Sequence, residues 1–263
     1  MKISSGLSPK ILTISVLLAL FLAAAAAFSA PPVKWNFKGF NYATWWGGDY
    51  LTVKSEEQLD ALKTIGANWT ALVTTWYIDN LTDSTIESNT NTTQSYNELK
   101  NAIDDMHFRG FKVMLKPHMD CLDGSFRGYI TPSAPATWFS TYQRYMTNMA
   151  RIAQQKNVEM FCVGTELDSM AVAAYSNNWK ALLQAVTNIY TGPITYTANH
   201  PEAGDKKVPF WRYMDYASVD AYYPLDSSSA VVGMAQLTND WRNCNASGFV
   251  GRKWTSEISN WQA

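Results

Sequence analysis

VEMFCVGTEL, residues 158–167, is an apolar run that ends on a carboxylate, Glu166. GRKWTSEIS, residues 251–259, repeats the pattern and carries Glu257. Apolar residues at successive rather than alternate positions belong to a strand covered on both faces, as in a parallel sheet with helices packed on it. Each glutamate falls at the C-terminal end of its run, where a parallel α/β fold keeps its chemistry.

Working outward from 158–167, the same kind of run recurs. KGFNYAT (38–44), WTALVTTW (69–76) and FKVMLKPH (111–118) precede it; PITYTAN (193–199), YASVDAYYP (216–224) and RKWTSEI (252–258) follow. Helical patterns separate them. SEEQLDALKTIG (55–66) has Ser55 as its expected cap, acids in its first turn and a terminal glycine. SYNELKNAIDDMHFRG (95–110), about 136–156, NWKALLQAVTNIY (178–190) and about 231–241 supply the other helices. Seven strands with helical crossovers predict an α/β fold, a (β/α)8 TIM barrel, with a doubly wound open sheet as the alternative. The chain stops at Ala263, so strand eight and the last helices are absent and the barrel is expected to be incomplete. No G-x-G-x-x-G fingerprint marks a dinucleotide site.

Lys2 and Lys10 precede an apolar stretch, Ile11–Phe28, which leads to the small residues Ser29 and Ala30. A positive start, an apolar middle and a small-residue exit describe a secretory signal peptide over 1–30, leaving 31–263 as one barrel domain. A secreted location and no membrane association after cleavage follow as expectations, with an uncleaved anchor as the alternative reading of so long a stretch. Sequons stand at Asn68, Asn80, Asn91 and Asn245, with Asn80 and Asn91 in polar loop sequence. Cys121, Cys162 and Cys244 allow one disulfide at most, Cys121 with Cys244 being the candidate pair.

A net charge of −1 gives no sign of a polyanion partner, and no nucleic-acid partner is expected. Aromatic residues make up 14% of the chain, enough for a large core and for flat surfaces that match the C–H faces of sugar rings. The strand ends carry much of this load. Trp45, Trp46 and Asp49 follow strand one, and Trp76 and Tyr77 strand two. Strand three ends in Lys116, His118 and Asp120, strand five in Tyr196 and Asn199, strand six in Tyr222 and Tyr223. Two carboxylates at one mouth, one protonated and one ionised, are the equipment for cleaving a glycosidic bond. His118 and Asp120 in sequence raise a metal-dependent barrel hydrolase as a rival. Three histidines in the chain argue against a multi-histidine metal site and for His118 as a substrate donor. No metal and no organic cofactor are expected.

KGFNYATWW, LKPHMD, VGTEL, VDAYYPL and TSEIS together resemble glycoside hydrolase family 113, over residues 38–259. The resemblance implies a retaining endo-β-1,4-mannanase-like TIM-barrel enzyme with Glu166 as acid/base and Glu257 as nucleophile. It places Tyr222 beside the nucleophile. Trp45, Trp76, His118, Asp120, Tyr196, Asn199 and Tyr222 are the expected substrate contacts of a monomer acting on a polysaccharide or oligosaccharide. The wider clan has Asn before its acid/base, where this chain has Thr165. The clan's sugar-stacking Trp of strand eight falls beyond Ala263. Other readings are a β-glucanase or cellulase of the same clan, and a non-catalytic carbohydrate-binding or inactive fragment.

Overall fold

A computed structural model describes residues 36–200, 208–222 and 233–235. Contacts divide the chain into Met1–Phe37 and Lys38–Ala263, and all the elements named below belong to the second unit. They run β1 (Gly39–Tyr42), α1 (Val53–Thr64), β2 (Trp69–Ile78), α2 (Tyr96–Phe108), β3 (Lys112–Cys121), α3 (Pro135–Gln155), β4 (Met160–Thr165), α4 (Ser176–Thr187), β5 (Ile194–Asn199) and β6 (Tyr216–Asp220). The strand expected at 252–258, most of the helix expected at 231–241 and the leader at 1–30 lie outside the described residues.

The strands form one parallel sheet in the order β1-β2-β3-β4-β5-β6. Each crossover advances by one strand in the same direction. A doubly wound sheet reverses direction at a switch point, so this order is the winding of a (β/α)8 barrel. The sheet also curls. Lys116 on β3 reaches Asp220 on β6, Nζ to Oδ1 at 3.0 Å, although two strands lie between them. Three strand spacings span roughly 14 Å on a flat sheet, too far for two side chains standing perpendicular to it.

Strand alternation divides the residues between two environments. Leu72, Trp76 and Ile78 of β2, Val113, Leu115 and Met119 of β3, Phe161 and Val163 of β4, and Tyr196 and Ala198 of β5 share one core with the helices. Helix α3 brings Trp138, Tyr142, Tyr145, Met149 and Ile152 to that core, spaced three and four apart along one stripe. Its tyrosines also close polar gaps. The Tyr145 hydroxyl lies 3.0 Å from the carbonyls of both Thr74 and His118, and the Tyr142 hydroxyl donates to Val163 O at 2.9 Å. Opposite parity sends Lys116, His118 and Asp120 of β3, Thr197 of β5 and Asp220 of β6 toward the barrel axis.

Helix α1 begins earlier than its sequence pattern predicts. Thr52, not Ser55, is the cap: its extended backbone lets Oγ1 accept from Ser55 N at 3.2 Å. Ser55 sits inside the first turn, where its hydroxyl meets that of Tyr42 at 2.7 Å. Ser95 caps α2 as expected, accepting from Glu98 N at 3.1 Å. The buried Glu98 carboxylate turns instead to the β1–α1 loop and accepts from Gly48 N and Tyr50 N. That loop is thereby held against α2 by charge-assisted bonds.

Candidate active site

Glu166 follows β4 directly, and the backbone there departs from regular strand geometry. The β4–β5 register slips between Cys162 and Thr165. Glu166 itself adopts the left-handed region, φ 52°, which costs a non-glycine residue on the order of 1 kcal/mol. Neighbours hold it there: Glu166 N donates to Thr197 O at 2.8 Å, and Leu167 N to the Tyr196 hydroxyl at 2.9 Å. Gly164 permits this packing, because a Cβ at that position would lie 2.9 Å from the Tyr142 hydroxyl and 3.1 Å from the Tyr196 ring.

The Glu166 carboxylate is buried and accepts from Arg127 Nη1 at 2.7 Å. Arg127 comes from a short 3-10 turn, Arg127–Tyr129, in the β3–α3 loop. Its other edge grips Asp120, with Nε at 2.7 Å and Nη2 at 2.6 Å from Oδ1. One guanidinium therefore ties the end of β3 to the end of β4. Burial raises the Glu166 carboxyl above its ordinary range and the Asp220 charge raises it further, while Arg127 and then Lys116 pull it back. The balance leaves a carboxyl that holds its proton more tightly than a solvated one, the property a general acid requires.

His118 lies on the same inward stripe of β3, between Lys116 and Asp120. Its two ring nitrogens have no hydrogen-bond partner among the described residues. Burial, then the Arg127 and Lys116 charges, lower its pKa well below the ordinary value, so the imidazole is neutral with one donor and one acceptor. Asn199 ends β5 and donates from Nδ2 to Asp168 Oδ2 at 3.1 Å, joining the β5 end to the loop just past Glu166. Trp45 and Tyr222 are exposed at the β1 and β6 ends.

The structure thus brings Glu166 and Asp120 together through Arg127, with His118 on the same inner stripe as Asp120. Trp76 and Tyr196 point the other way. The Trp76 ring stacks on Tyr145 of α3 at 4.6 Å, and Tyr196 is fully buried between Trp179 of α4 and Phe210. Parity decides this: both share a strand face with helix-covered residues, and the inward neighbour of Trp76 is Tyr77. Glu257 lies outside the described residues. Arg127 and Asp220 are absent from the sequence-derived set, and Lys116 figures there only as a strand-end residue, not as a substrate contact. Asp220 stands in VDAYYPL and Lys116 in LKPHMD, but no local pattern singles out Arg127. Among the described residues no three His, Cys, Asp or Glu side chains converge in a way that would hold a metal ion. Cys121 and Cys162 are buried free thiols, and Cys244 lies outside the described residues.

Fold and site define a (β/α)-barrel protein with a buried carboxyl of raised pKa at the C-terminal mouth of its sheet. The sequence profile of Glycoside Hydrolase Family 113 matches residues 39–245, and the chain belongs to that family. Among solved structures it is similar to the GH113 β-mannanase AaManA from Alicyclobacillus acidocaldarius in complex with ManMIm, at 28% identity and a TM-score of 0.67 over 78% of this chain. It is also similar to a GH113 β-1,4-mannanase, at 25% identity and a TM-score of 0.67 over 78% of this chain. The chain spans 63% of the length of each of these mannanases. No curated protein sequence matches it.

Proposed function

We propose that the protein is a secreted, retaining glycoside hydrolase that cleaves β-linked polysaccharide, with β-1,4-mannan as its substrate. The observation that carries this reading is Glu166: a buried carboxyl of raised pKa at the end of β4, clamped by Arg127 and facing Asp220. The solved structures to which the chain is similar are β-mannanases, which supports mannan over other β-glycans.

In the double displacement, Glu166 protonates the glycosidic oxygen as Glu257 attacks C1 and forms a glycosyl ester. Glu166, now ionised, then takes a proton from water, which attacks C1 and releases Glu257. The Arg127 guanidinium stabilises Glu166 in the ionised interval between the two steps. His118, neutral and without a hydrogen-bond partner among the described residues, offers a sugar hydroxyl one donor and one acceptor. Secretion follows from the leader at 1–30. Of the sequons, Asn80 and Asn91 are exposed, whereas Asn68 is half-buried and its Oδ1 accepts from Lys38 N at 2.8 Å.

The direct test is reducing-sugar release from β-mannan beside cellulose, xylan and galactan, with wild type and Glu257→Ala. Wild type should act on mannan above the other three, and the variant should have no turnover. Mannan binding without sugar release by wild type would instead establish a non-catalytic carbohydrate-binding protein. A second prediction concerns pH. Arg127 lowers the Glu166 pKa, so Arg127→Met raises it and moves the alkaline limb of kcat/KM to higher pH. A limb that stays in place or moves to lower pH is incompatible with Glu166 as the titrating acid.

A further inference from the structure

We propose that Phe126 and Tyr129, on either side of Arg127, form an aromatic subsite for the sugar on the leaving-group side of the scissile bond. The proposal rests on Glu166 as the acid/base. A general acid stands on the side of the bond from which the leaving oxygen departs. Whatever surface is fastened to that acid, outside the point of cleavage, meets the departing sugar.

The Phe126–Tyr129 turn is fastened to Glu166 in three ways. Arg127 bonds Glu166 directly and Asp120 beside it. Ser169 N, three residues beyond Glu166, donates to Gly128 O at 2.9 Å. Tyr129 N closes the turn by donating to Phe126 O at 3.0 Å. The two rings pack edge to face, with centroids 5.4 Å apart and planes at 82°. Gly128 makes room for this: a Cβ there would stand 2.4 Å from Phe126 Cε1, so the Phe126 ring lies against the glycine. Despite this fixing, Tyr129 is 63% exposed and Phe126 37%.

A fixed turn that presents two large aromatic faces to solvent gains nothing in stability from their exposure. Sugar rings supply the matching surface, since their axial C–H groups form an apolar face that stacks on a flat aromatic. Of the aromatics expected at this mouth from the sequence, Trp76 and Tyr196 are committed to the helix-facing core, and Trp45 and Tyr222 stand exposed at the β1 and β6 ends; the β3–α3 turn is the aromatic surface bonded to Glu166. The substrate class it takes is a β-linked hexose chain, held through its leaving-group residue. In the second half-reaction the same platform holds an acceptor sugar in competition with water, and so favours chain-lengthened products.

The test compares mannohexaose with a β-mannobiosyl fluoride, whose leaving group is fluoride and occupies no sugar subsite. For Tyr129→Ala the KM for mannohexaose should rise about three- to tenfold, the worth of one aromatic contact, and the cleavage pattern should shift. Chain-lengthened products should fall, hydrolysis of the fluoride should stay at the wild-type rate, and Tyr129→Trp should restore mannohexaose turnover. Phe126→Ala should show the same split in weaker form. Unchanged KM and product pattern in both alanine variants, with an active wild type, would overturn the proposal alone. Equal losses on both substrates would assign the turn a purely structural role and also overturn it. A wild type inactive on both substrates removes the glycosidase reading, and the subsite with it.

Discussion

Glu166→Gln should cut hydrolysis of β-mannan by about 10²- to 10⁴-fold, the range by which a positioned general acid accelerates proton transfer. The substitution keeps the shape of the side chain and one acceptor for Arg127, so the fold around β4 should melt close to wild type. The loss should depend on the leaving group. A dinitrophenyl mannoside departs as a stable anion and needs no proton, so its first step should survive and a glycosyl–enzyme should accumulate. Azide needs no general base, and adding it should restore turnover to a glycosyl azide of retained configuration. Mannan hydrolysis within twofold of wild type, or equal loss on both substrates without azide rescue, would sink the assignment of Glu166.

Lys116→Met should be the most destabilising single change among the described residues of the site. Lys116 and Asp220 pair inside the barrel at 3.0 Å, with side chains only 4% and 14% exposed. Their attraction offsets the desolvation of both ions. Removing the lysine leaves a carboxylate in the interior without its partner, a loss of about 3–5 kcal/mol. For a chain of this size that corresponds to a Tm drop on the order of 10 °C. Lys116→Met with Asp220→Leu removes both charges and should recover most of the stability, because the penalty belongs to the unpaired ion rather than to the lost pair. A single variant that melts within 2 °C of wild type would mean that water reaches Asp220 and screens it. The pair also flanks Glu166 with opposite effects on its pKa, so the double variant should disturb the pH profile less than either single one.

The regular elements were legible in the sequence because burial on both faces writes a continuous apolar run. The first six expected strands appear, each within a few residues of its predicted bounds. β2 and β3 run further than expected, to Ile78 and Cys121, because ten consecutive residue pairs hold them together. Cap positions were less legible. Thr52 and Ser55 are both good capping residues, and the extended backbone at Thr52 decides between them.

The candidate site divides along a similar line. Glu166, His118 and Asp120 could be read from their places at strand ends. Trp76 and Tyr196 show the limit of such reading: an aromatic at a strand end lies on the axis side or the helix side according to parity, and a shift of one residue exchanges the two. Arg127 was beyond local reading altogether, since its partners Asp120 and Glu166 lie seven and thirty-nine residues away.

By itself the sequence determined the alternation of strand and helix, the parallel class of the sheet and the place of Glu166 at the end of a buried strand. These follow from residue-by-residue hydrophobicity and turn chemistry, which are local. Only the tertiary structure decided that the sheet curls far enough for Lys116 to meet Asp220, that one guanidinium links two strand ends, and that Phe126 and Tyr129 stand exposed on the turn bonded to Glu166. Those outcomes depend on distances between residues far apart in the chain, and the curl of the sheet is what sets them.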